Sequence, residues 1–380
     1  MSSSEPSSLD RLCAWYRARA LPLWLSAGFD EKAGLFHERL TFEREPLSTL
    51  PRRLMVQARQ VSVCCEASRL GLHERAGELA NLVGNRMVES FRGKGEGGGW
   101  AFSTDAAGVV ADGKADLYAH AFALFALAHL HRLEPQAGWD TVAGETFNNI
   151  HRLFGLPQGG FAPSAGTPET LLQNPVMHLF EAWLELIDAG LDEYRTPAEQ
   201  LATFALTQLV NEDSGAICEC FDTSWNPLSG DANWVEPGHQ YEWAWLLHRA
   251  QDLLGRDTTE TVARLMANGR AGLDGGSFLV DEQALDGAPR TATRRLWPHT
   301  EAIRAELAVA PGGAGQNAAE HFAARLLEGF IDPAPDGGWI DRIDASGKPL
   351  SADMPASSLY HLSGAVNAVL TPETSRTVDG

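Results

Sequence analysis

The sequence predicts an all-α protein, an (α/α)6 barrel or six-hairpin toroid with short β-hairpins on one rim. The main observation is a Gly-rich turn followed by a bulky apolar residue. It occurs six times, with the apolar residue at Phe36, Trp100, Phe161, Ile217, Phe278 and Trp339. Successive anchors lie 64, 61, 56, 61 and 61 residues apart. Such a period suits a unit of two helices and a connecting turn, and six units fill the chain.

The segments between the anchors predict helices and small hairpins. Apolar residues recur at helical spacing, most clearly over residues 117–128 and 176–187. Predicted helix ends lie at Gly71, Pro135, Gly190, Gly255 and Pro311, and one predicted start lies at Thr196. Alternating or aromatic segments flank the Gly-rich turns, which indicates short hairpins at one end of the helices.

The six helix pairs could bury their apolar faces either as an open stack or as a closed ring. Both end units carry the Gly-rich turn and neither has an obvious polar cap, which favours the ring. We therefore expect one catalytic domain over residues 1–380, with polar tails at about residues 1–8 and 371–380. A ring also places equivalent parts of every unit around one central cavity.

Composition excludes several classes of function. Hydrophobic residues make up 44% of the chain, and the formal net charge of −20 disfavours nucleic acids and anionic lipid surfaces. The longest apolar runs are interrupted by His and fall short of the roughly 20 residues of a membrane span. The polar, acidic start does not resemble a signal peptide. We expect a cytoplasmic monomer or homodimer with no nucleic acid or membrane partner and five reduced cysteines.

One ionisable or polar residue follows each anchor at a similar distance. These residues are Arg59, His120, His178, His239, His299 and His361, which lie 17 to 23 residues after their anchors. A single histidine is more often a satisfied interior or surface residue than a catalytic one. Recurrence at equivalent helix positions, however, predicts that all six side chains converge on one mouth of the ring.

Local context adds neighbours to these residues. Glu242 lies three residues after His239, so that a carboxylate can lie beside the imidazole. Asn174 precedes His178 by one helical turn. Trp297 precedes Glu301 by the same spacing, near a predicted helix start. These pairs predict polar and aromatic groups on the cavity wall.

Neither a metal site nor a nucleotide site is predicted. Local metal-binding motifs are missing from the sequence, and His239 with Glu242 would supply two ligands at most. The Gly-rich segment at residues 93–100 lacks the ending of a phosphate-binding loop. A basic cluster could hold an anionic substrate group, although solvated charges at a helix start explain it equally simply. It comprises Arg290, Arg294 and Arg295.

The motifs around these residues resemble the N-acylglucosamine 2-epimerase superfamily, which includes bacterial mannose isomerases, sulfoquinovose isomerases and cellobiose 2-epimerases. The resemblance covers about residues 15 to 365 and is carried by RLMVQARQ, DLYAHAFAL, NPVMHLFEA, EPGHQYEWAWLL, LWPHTEA and LYHL. Within this superfamily, the chain most resembles the bacterial isomerase branch. The resemblance implies an (α/α)6 barrel that acts on a free monosaccharide without a metal or redox cofactor.

The resemblance also implies roles for individual residues. His239 and His361 would be the catalytic acid/base pair. The other implied site residues are Arg59, Asn174, His178 and Glu242 at the sugar hydroxyls, Trp297 and Glu301 on the wall, and His120 near the ring-opening end.

Two outcomes remain open for such a pair. Removal of the C2 proton of an open aldose gives an enediolate. Return of the proton to C1 by His239 gives a ketose, whereas delivery to C2 from the opposite face by His361 gives the 2-epimer. We expect aldose–ketose isomerisation of the mannose to fructose type, with ring opening by His361. The alternatives are 2-epimerisation of N-acylglucosamine or glucose/mannose, and isomerisation of an anionic hexose such as a 6-phosphate or sulfoquinovose.

Two further classes compete with this interpretation. A glycoside hydrolase would need two carboxylates beside the scissile bond, for which Asp116, Glu242 and Glu301 are available. A His-rich mouth suits that chemistry poorly. A sugar-binding protein without activity could also use the same scaffold.

Overall fold

The computed structural model describes residues 5–371 except 167 and 276. The predicted tails at residues 1–8 and 371–380 lie mostly outside these residues. The described helices are α1 (Ser8–Trp15), α2 (Leu21–Trp24), α3 (Leu54–Arg69), α4 (Ala76–Phe91), α5 (Leu117–Leu133), α6 (Trp139–Phe154), α7 (Gln173–Asp188), α8 (Arg195–Phe204), α9 (Pro237–Leu254), α10 (Thr259–Ala271), α11 (Trp297–Val309), α12 (Gly313–Leu326) and α13 (Ser357–Leu370).

The odd-numbered helices from α3 to α13 form a closed inner ring, in which each packs against the next and α13 packs against α3. Their residues are buried on nearly all sides. Helix α5 is apolar almost all round, as expected for a buried helix, whereas the others also bury polar and charged side chains. The outer helices bury one face only. This ring confirms the predicted (α/α)6 barrel. None of the helices within the described ranges is sufficiently long and apolar to cross a membrane.

The predicted helix boundaries are close to those observed. Helix α5 begins at Leu117 as expected, and α7 begins at Gln173, three residues before the predicted apolar face. Helix α9 ends at Leu254, where Gly255 adopts a left-handed conformation with φ of 69°. Glycine accepts this conformation without steric cost, which explains the stop.

Short strands lie on the rim where the inner helices begin. They are β1 (Phe29–Asp30), β2 (Leu35–Phe36), β3 (Arg39–Thr41), β4 (Arg52–Arg53), β5 (Ser103–Thr104), β6 (Val110–Asp112), β7 (Leu171–Leu172), β8 (Cys220–Phe221), β9 (Leu273–Asp274), β10 (Phe278–Leu279), β11 (Arg294–Arg295), β12 (Arg342–Ile343) and β13 (Asp353–Pro355). All described pairings are antiparallel.

Six of these contacts follow one rule around the ring. The segment just before each inner helix pairs with the turn of the next unit, as in β4–β5, β7–β8 and β11–β12. Isolated bridges from Asp116 to Ser164 and from Val235 to Gln283 supply two more. The sixth pairing joins β13 to β3 and closes the ring between its last and first units.

The outer layer closes at the same place. Helix α1 packs against α12 and α13, so the first helix of the chain completes the last helix pair. The Glu320 carboxylate of α12 accepts hydrogen bonds from the backbone N–H groups of Ser8 and Leu9, at 2.9 and 3.2 Å. These bonds satisfy donors at the start of α1 that have no partner within the helix.

In four units, a side chain near the start of the inner helix accepts a hydrogen bond from the backbone N–H of the Gly-rich turn. We call its place in the helix the turn-bonding position. The four bonds join Phe36 to Gln57 (2.8 Å), Trp100 to His120 (2.9 Å), Ile217 to Gln240 (2.9 Å) and Leu279 to His299 (3.1 Å). Histidine and glutamine are thus equivalent in this role.

His120 and His299 occupy the turn-bonding position, so the expectation that they converge on the mouth of the ring is wrong. Both are fully buried, and neither lies at the mouth of the ring. In His120, Nε2 accepts from the backbone of Trp100, so Nδ1 carries the proton that it donates to the carbonyl oxygen of Asp116 at 2.7 Å. Burial lowers the pKa of each imidazole to about 4, which matches this neutral, structural role.

The substitution His120→Ala should reduce the free energy of unfolding by about 2 kcal/mol, because a buried N–H of Trp100 would lose its acceptor. His120→Gln should lose much less, because Gln57 and Gln240 already accept the equivalent bond. Urea denaturation of the two variants beside the wild-type protein measures the difference. Equal destabilisation by alanine and glutamine would contradict the structural role.

Candidate active site

A cavity of about 230 Å³ opens at the end of the ring where the inner helices begin. We call it the front cavity. It is lined by Arg59, Tyr118, Asn174, His178, Glu236, His239, Glu242, Arg295, Trp297, Asp341, Ser357, Ser358 and His361. Side chains from all six inner helices contribute, as expected for equivalent positions in a ring.

The first imidazole of the cavity belongs to His239, in the first turn of α9. Its Nδ1 lies 2.8 Å from Oε1 of Glu219 and 3.8 Å from Oε2 of Glu236. Gln173 holds Glu219 in place by donating a bond of 2.9 Å to the other oxygen. Burial by itself would lower the pKa of His239, but the two carboxylates outweigh it and raise the pKa to about 9. His239 is therefore an imidazolium at neutral pH.

The second imidazole belongs to His361 on α13. Its Nδ1 lies 2.7 Å from Oε1 of Glu301. Burial is the largest influence and lowers the pKa of His361, and the nearby Arg59 acts in the same direction. A neutral His361 donates its Nδ1–H to Glu301 and leaves Nε2 as the nitrogen that can accept a proton.

The two imidazoles therefore have opposite states around one cavity. His239 is held as a proton donor and His361 as a proton acceptor. Environments that separate two pKa values in this way are typical of acid/base pairs. The indole of Trp297 lies between the two rings, with centroids 4.9 Å from His239 and 5.6 Å from His361.

The position of the Trp297 indole beside the two imidazoles depends on a glycine. A Cβ atom at Gly238 would lie 2.5 Å from the indole, well inside van der Waals contact. Gly238 precedes His239 in the motif that the sequence analysis singled out. The small residue allows the indole to form the wall between the two imidazoles.

Arg59 supplies the positive charge of the cavity. Its guanidinium donates to the hydroxyl of Tyr118 at 2.5 Å and lies 4.2 Å from the ring centre of Phe122. Within the described part of the chain it makes no ion pair with a carboxylate. Its charge is thus available to a bound anion or to a negative charge that develops during a reaction.

Two buried oxygen atoms of the lining have no hydrogen-bond partner among the described residues. They are Oδ1 of Asn174 and Oε1 of Glu242. Burial and the carboxylates of Glu301 and Glu181 raise the pKa of Glu242 well above its usual range, which favours the protonated form of its carboxyl group. Buried polar groups without partners are rare. A ligand with several hydroxyl groups would satisfy both.

His178 completes this side of the cavity. Its Nδ1 lies 3.1 Å from Oε2 of Glu181 and 3.7 Å from Oε1 of Glu242. Burial lowers the pKa of His178 to about 4, so it is a neutral hydrogen-bonding group at neutral pH.

The structure brings together most of the predicted site residues. Seven line the front cavity, namely Arg59, Asn174, His178, His239, Glu242, Trp297 and His361. Glu301 is buried behind His361 and orients it instead of forming the wall. His120 lies outside the lining, bonded to backbone on both ring nitrogens.

Several lining residues and one orienting residue were not predicted. They are Tyr118, Glu236, Asp341, Ser357, Ser358 and Glu219. The carboxylate partner of His239 is Glu219 from a turn and not, as expected, Glu242 from the same helix. A search for acidic residues close to the Gly-rich anchors would have found Glu219, two residues after Ile217.

The basic cluster of the sequence does not form an anion pocket. Arg290 donates to backbone carbonyls of Asn233 and Asp231. Arg294 pairs with an aspartate, and Arg295 pairs with Glu236 at 2.8 Å. Only Arg295 of the three belongs to the described lining, and its charge is already compensated.

The fold does assemble two groups of possible metal ligands. They are His178, Glu181 and Glu242 in one group and Glu219, Glu236 and His239 in the other. Several of their ligand atoms already have partners within the protein: Glu181 accepts from Tyr360, and Glu236 pairs with Arg295. Such pairing competes with a cation, so the donor sets fit a metal poorly.

Comparisons with known proteins give consistent results. The family model of N-acylglucosamine 2-epimerase (GlcNAc 2-epimerase) matches residues 34–365. A mannose-6-phosphate isomerase of Rhizobium meliloti is 32% identical over 368 residues, which cover 92% of this chain and 94% of the relative. A cellobiose 2-epimerase of Bacteroides fragilis is 24% identical over 310 residues, covering 75% and 77%.

A solved structure of a D-mannose isomerase has the same fold. It superposes with a TM-score of 0.86 at 18% identity and covers 97% of this chain and 99% of the solved chain. At this identity the similarity supports the (α/α)6 barrel.

The substitution Glu219→Gln should lower the pKa of His239 from about 9 to below 7, because burial would then outweigh the remaining carboxylates. An NMR titration of the His239 ring measures the change in the free protein. Glu78→Gln, at an exposed glutamate of α4, is the matched control and should leave the titration unchanged. A pKa that stays near 9 in Glu219→Gln would refute the pairing.

Proposed function

Because this chain belongs to the N-acylglucosamine 2-epimerase family, we propose that it is a metal-independent aldose–ketose isomerase of a free hexose, with mannose to fructose as the reaction type. The family places the protein among sugar isomerases and epimerases. The observation that carries the finer proposal is the pair of imidazoles on one cavity, His239 as donor and His361 as acceptor.

Ring opening uses both imidazoles. His239 is the protonated group and gives its proton to the ring oxygen O5, while Nε2 of His361 takes the proton of the anomeric hydroxyl. The products are an open aldose, a neutral His239 and a protonated His361. From the sequence we expected ring opening by His361. Protonation of O5 needs an acid, however, and His239 is the imidazole held in that state.

Isomerisation follows with the roles reversed. Neutral His239 removes the C2 proton while protonated His361 donates to O1, which gives an enediol. His239 then returns its proton to C1 as His361 accepts the proton of O2, which gives the ketose. Each step therefore moves one proton at carbon and one at oxygen, and ring closure restores both imidazoles.

Negative charge that develops on O1 and O2 is stabilised by Arg59, whose guanidinium has no carboxylate partner among the described residues. Hydrogen bonds to the remaining hydroxyls come from Asn174, His178 and the carboxyl group of Glu242. These groups are fixed by buried contacts, so little reorganisation is needed as charge develops.

The charges of the lining favour an uncharged sugar. A sugar 6-phosphate would add about two negative charges. Arg295 is neutralised by Glu236, which leaves Arg59 and His239 as the cations of the described lining. Glu236 and Asp341 lie on the same wall and would repel the phosphate.

A second candidate is 2-epimerisation. It is favoured by the presence of two imidazoles on one cavity, because inversion at C2 needs a base on one face and an acid on the other. After His239 removes the C2 proton, delivery to C2 by protonated His361 would give the epimer. A proton returned to C1 distinguishes the isomerase.

We expect the protein to convert mannose to fructose after treatment with a chelator, with solvent deuterium appearing at C1 of fructose in deuterated water. Proton NMR follows the reaction. His239→Gln and His361→Asn should each lower kcat at least about 1000-fold, because each removes a proton carrier of every step.

His73→Gln, at a partly exposed histidine outside the front cavity, is the control for these variants and should retain the activity of the wild type. A 2-epimer as the first product would overturn the isomerase in favour of the epimerase. Loss of activity after treatment with the chelator would indicate a metal-dependent mechanism. Loss of turnover with retained sugar binding in His239→Gln would exclude a mere binding protein.

Mannose 6-phosphate should have a kcat/KM at least about 100-fold below that of mannose, because Arg59 is engaged at O1 and O2 and Arg295 is already paired with Glu236, so no further cation is left for the phosphate among the described lining residues. Initial rates with the two sugars at one ionic strength measure the ratio. A kcat/KM for the phosphate equal to or above that for mannose would show that the cavity accepts anionic hexoses.

A further inference from the structure

Arg304 of α11 lies behind the front cavity, with 12% of its side chain exposed. Its Nη1 donates to Oε2 of Glu301 at 3.4 Å, and its Nη2 lies 3.5 Å from Oε1 of Glu181. These are the glutamates that bond Nδ1 of His361 and Nδ1 of His178. One guanidinium thus connects the carboxylate partners of two imidazoles of the cavity.

The position of this guanidinium is fixed by an aromatic ring. Its central carbon lies 3.3 Å from the ring centre of Trp245. On its other side Arg304 borders a second cavity of about 230 Å³, which we call the rear cavity. The rear cavity lies at the opposite end of the inner helices and contains a separate ion-pair network around Arg249 and Glu185.

The charge of Arg304 is needed because three buried carboxyl groups lie close together. Glu301 and Glu181 both raise the pKa of Glu242, Glu181 also raises that of Glu301, and burial disfavours ionisation of all three. Arg304 and the imidazole partners nevertheless keep the pKa of Glu181 and Glu301 low. Without the guanidinium, one more carboxyl group would take up a proton.

Protonation of Glu301 would change the imidazole that it contacts. An ionised Glu301 can only accept, so it requires the proton of neutral His361 on Nδ1 and leaves Nε2 free. A protonated Glu301 can donate to Nδ1, which would move the proton of His361 to Nε2. The nitrogen that faces the sugar would then no longer accept a proton.

We propose that Arg304 is a positioning residue that keeps Glu301 and Glu181 ionised and so selects the tautomers of His361 and His178. Its effect on turnover rests on the function proposed above, whereas its effect on the imidazoles concerns the free protein.

Several charged or titratable groups face His361 and must be considered in any pH profile. They are Glu301 and Arg304 on α11, Arg59 on α3, Glu181 and His178 on α7, Glu242 on α9 and Tyr360 on α13. Of these, Arg304 can be replaced without removing a group of the front-cavity lining.

Arg249 provides a matched control. It is buried, its guanidinium carbon lies 5.0 Å from the same Trp245 ring, and it pairs with two carboxylates at 3.1 Å. These carboxylates, Glu185 and Asp188, belong to the rear cavity and make no described contact with a histidine of the front cavity. Loss of Arg249 therefore reproduces the packing defect without the effect on Glu301.

The experiment compares Arg304→Met, Arg304→Lys and Arg249→Met with the wild type. In Arg304→Met we expect kcat to fall about 100-fold, because Nε2 of His361 would carry a proton and could not act as the base. The KM should change less than threefold, because the lining of the front cavity is intact. The acid limb of kcat/KM should move to higher pH by about one unit, since loss of a buried cation favours every protonated neighbour. Arg249→Met should keep the wild-type pH profile.

Two arms make the result decisive. Arg304→Lys keeps the charge in a well-folded background and should restore the pH profile to within a few tenths of a unit of the wild type. An NMR titration of the His361 ring nitrogens without sugar should show the proton of the neutral ring on Nε2 in Arg304→Met and on Nδ1 in Arg249→Met. Identical titrations in these two variants, or a pH shift in Arg304→Lys as large as in Arg304→Met, would overturn the proposal.

The NMR arm separates this inference from the proposed function. If the wild-type protein fails to convert any sugar, the proposed function is wrong, and the His361 titration still decides the role of Arg304. If the protein is active but the titrations and pH profiles of Arg304→Met and Arg249→Met agree, only the positioning role is wrong.

Discussion

The pairing of each inner-helix start with the turn of the next unit is the constraint on which the rest of the structure depends. Because this contact recurs six times and closes from β13 to β3, all six inner helices begin at one rim. Their N-terminal ends, which carry partial positive charge, therefore surround the front cavity. A site at this end favours a reaction in which negative charge develops on the substrate.

A second feature of the structure is a layer of buried charged side chains beneath the front cavity. Each ionised side chain in it has an opposite charge or a neutral donor within contact distance, as Glu181 has Arg304 and the hydroxyl of Tyr360. Such compensation is required because an unpaired buried charge is strongly destabilising. His239 and His361 lie at the upper edge of this layer. Carboxylates outweigh burial at His239 and raise its pKa, whereas burial, assisted by Arg59, lowers the pKa of His361.

The fold could be predicted from the sequence because its signal is local and repeated: a Gly-rich turn, an apolar anchor and helical periodicity. The imidazoles of the site could be found because they lie on those helices. Glu219 and Arg304 could not be assigned in the same way. Glu219 reaches His239 from a turn of the same unit, and Arg304 acts through Glu301 without touching the cavity, so only the packed structure defines their roles.

The error at His120 has a geometric cause that improves the interpretation of the repeat. Successive helix residues are rotated by about 100°, so residues two before and two after the turn-bonding position share the opposite, axis-facing side of the helix. Pairs at this spacing include Tyr118 with Phe122, Trp297 with Glu301, Asn174 with His178 and Ser357 with His361. His120 and His299 occupy the turn-bonding position itself and face the rim backbone. Distance from the glycine turn cannot separate these two classes of histidine. His120 and His299 bond the turn backbone themselves, whereas in α9 the adjacent Gln240 makes that bond and His239 lines the front cavity.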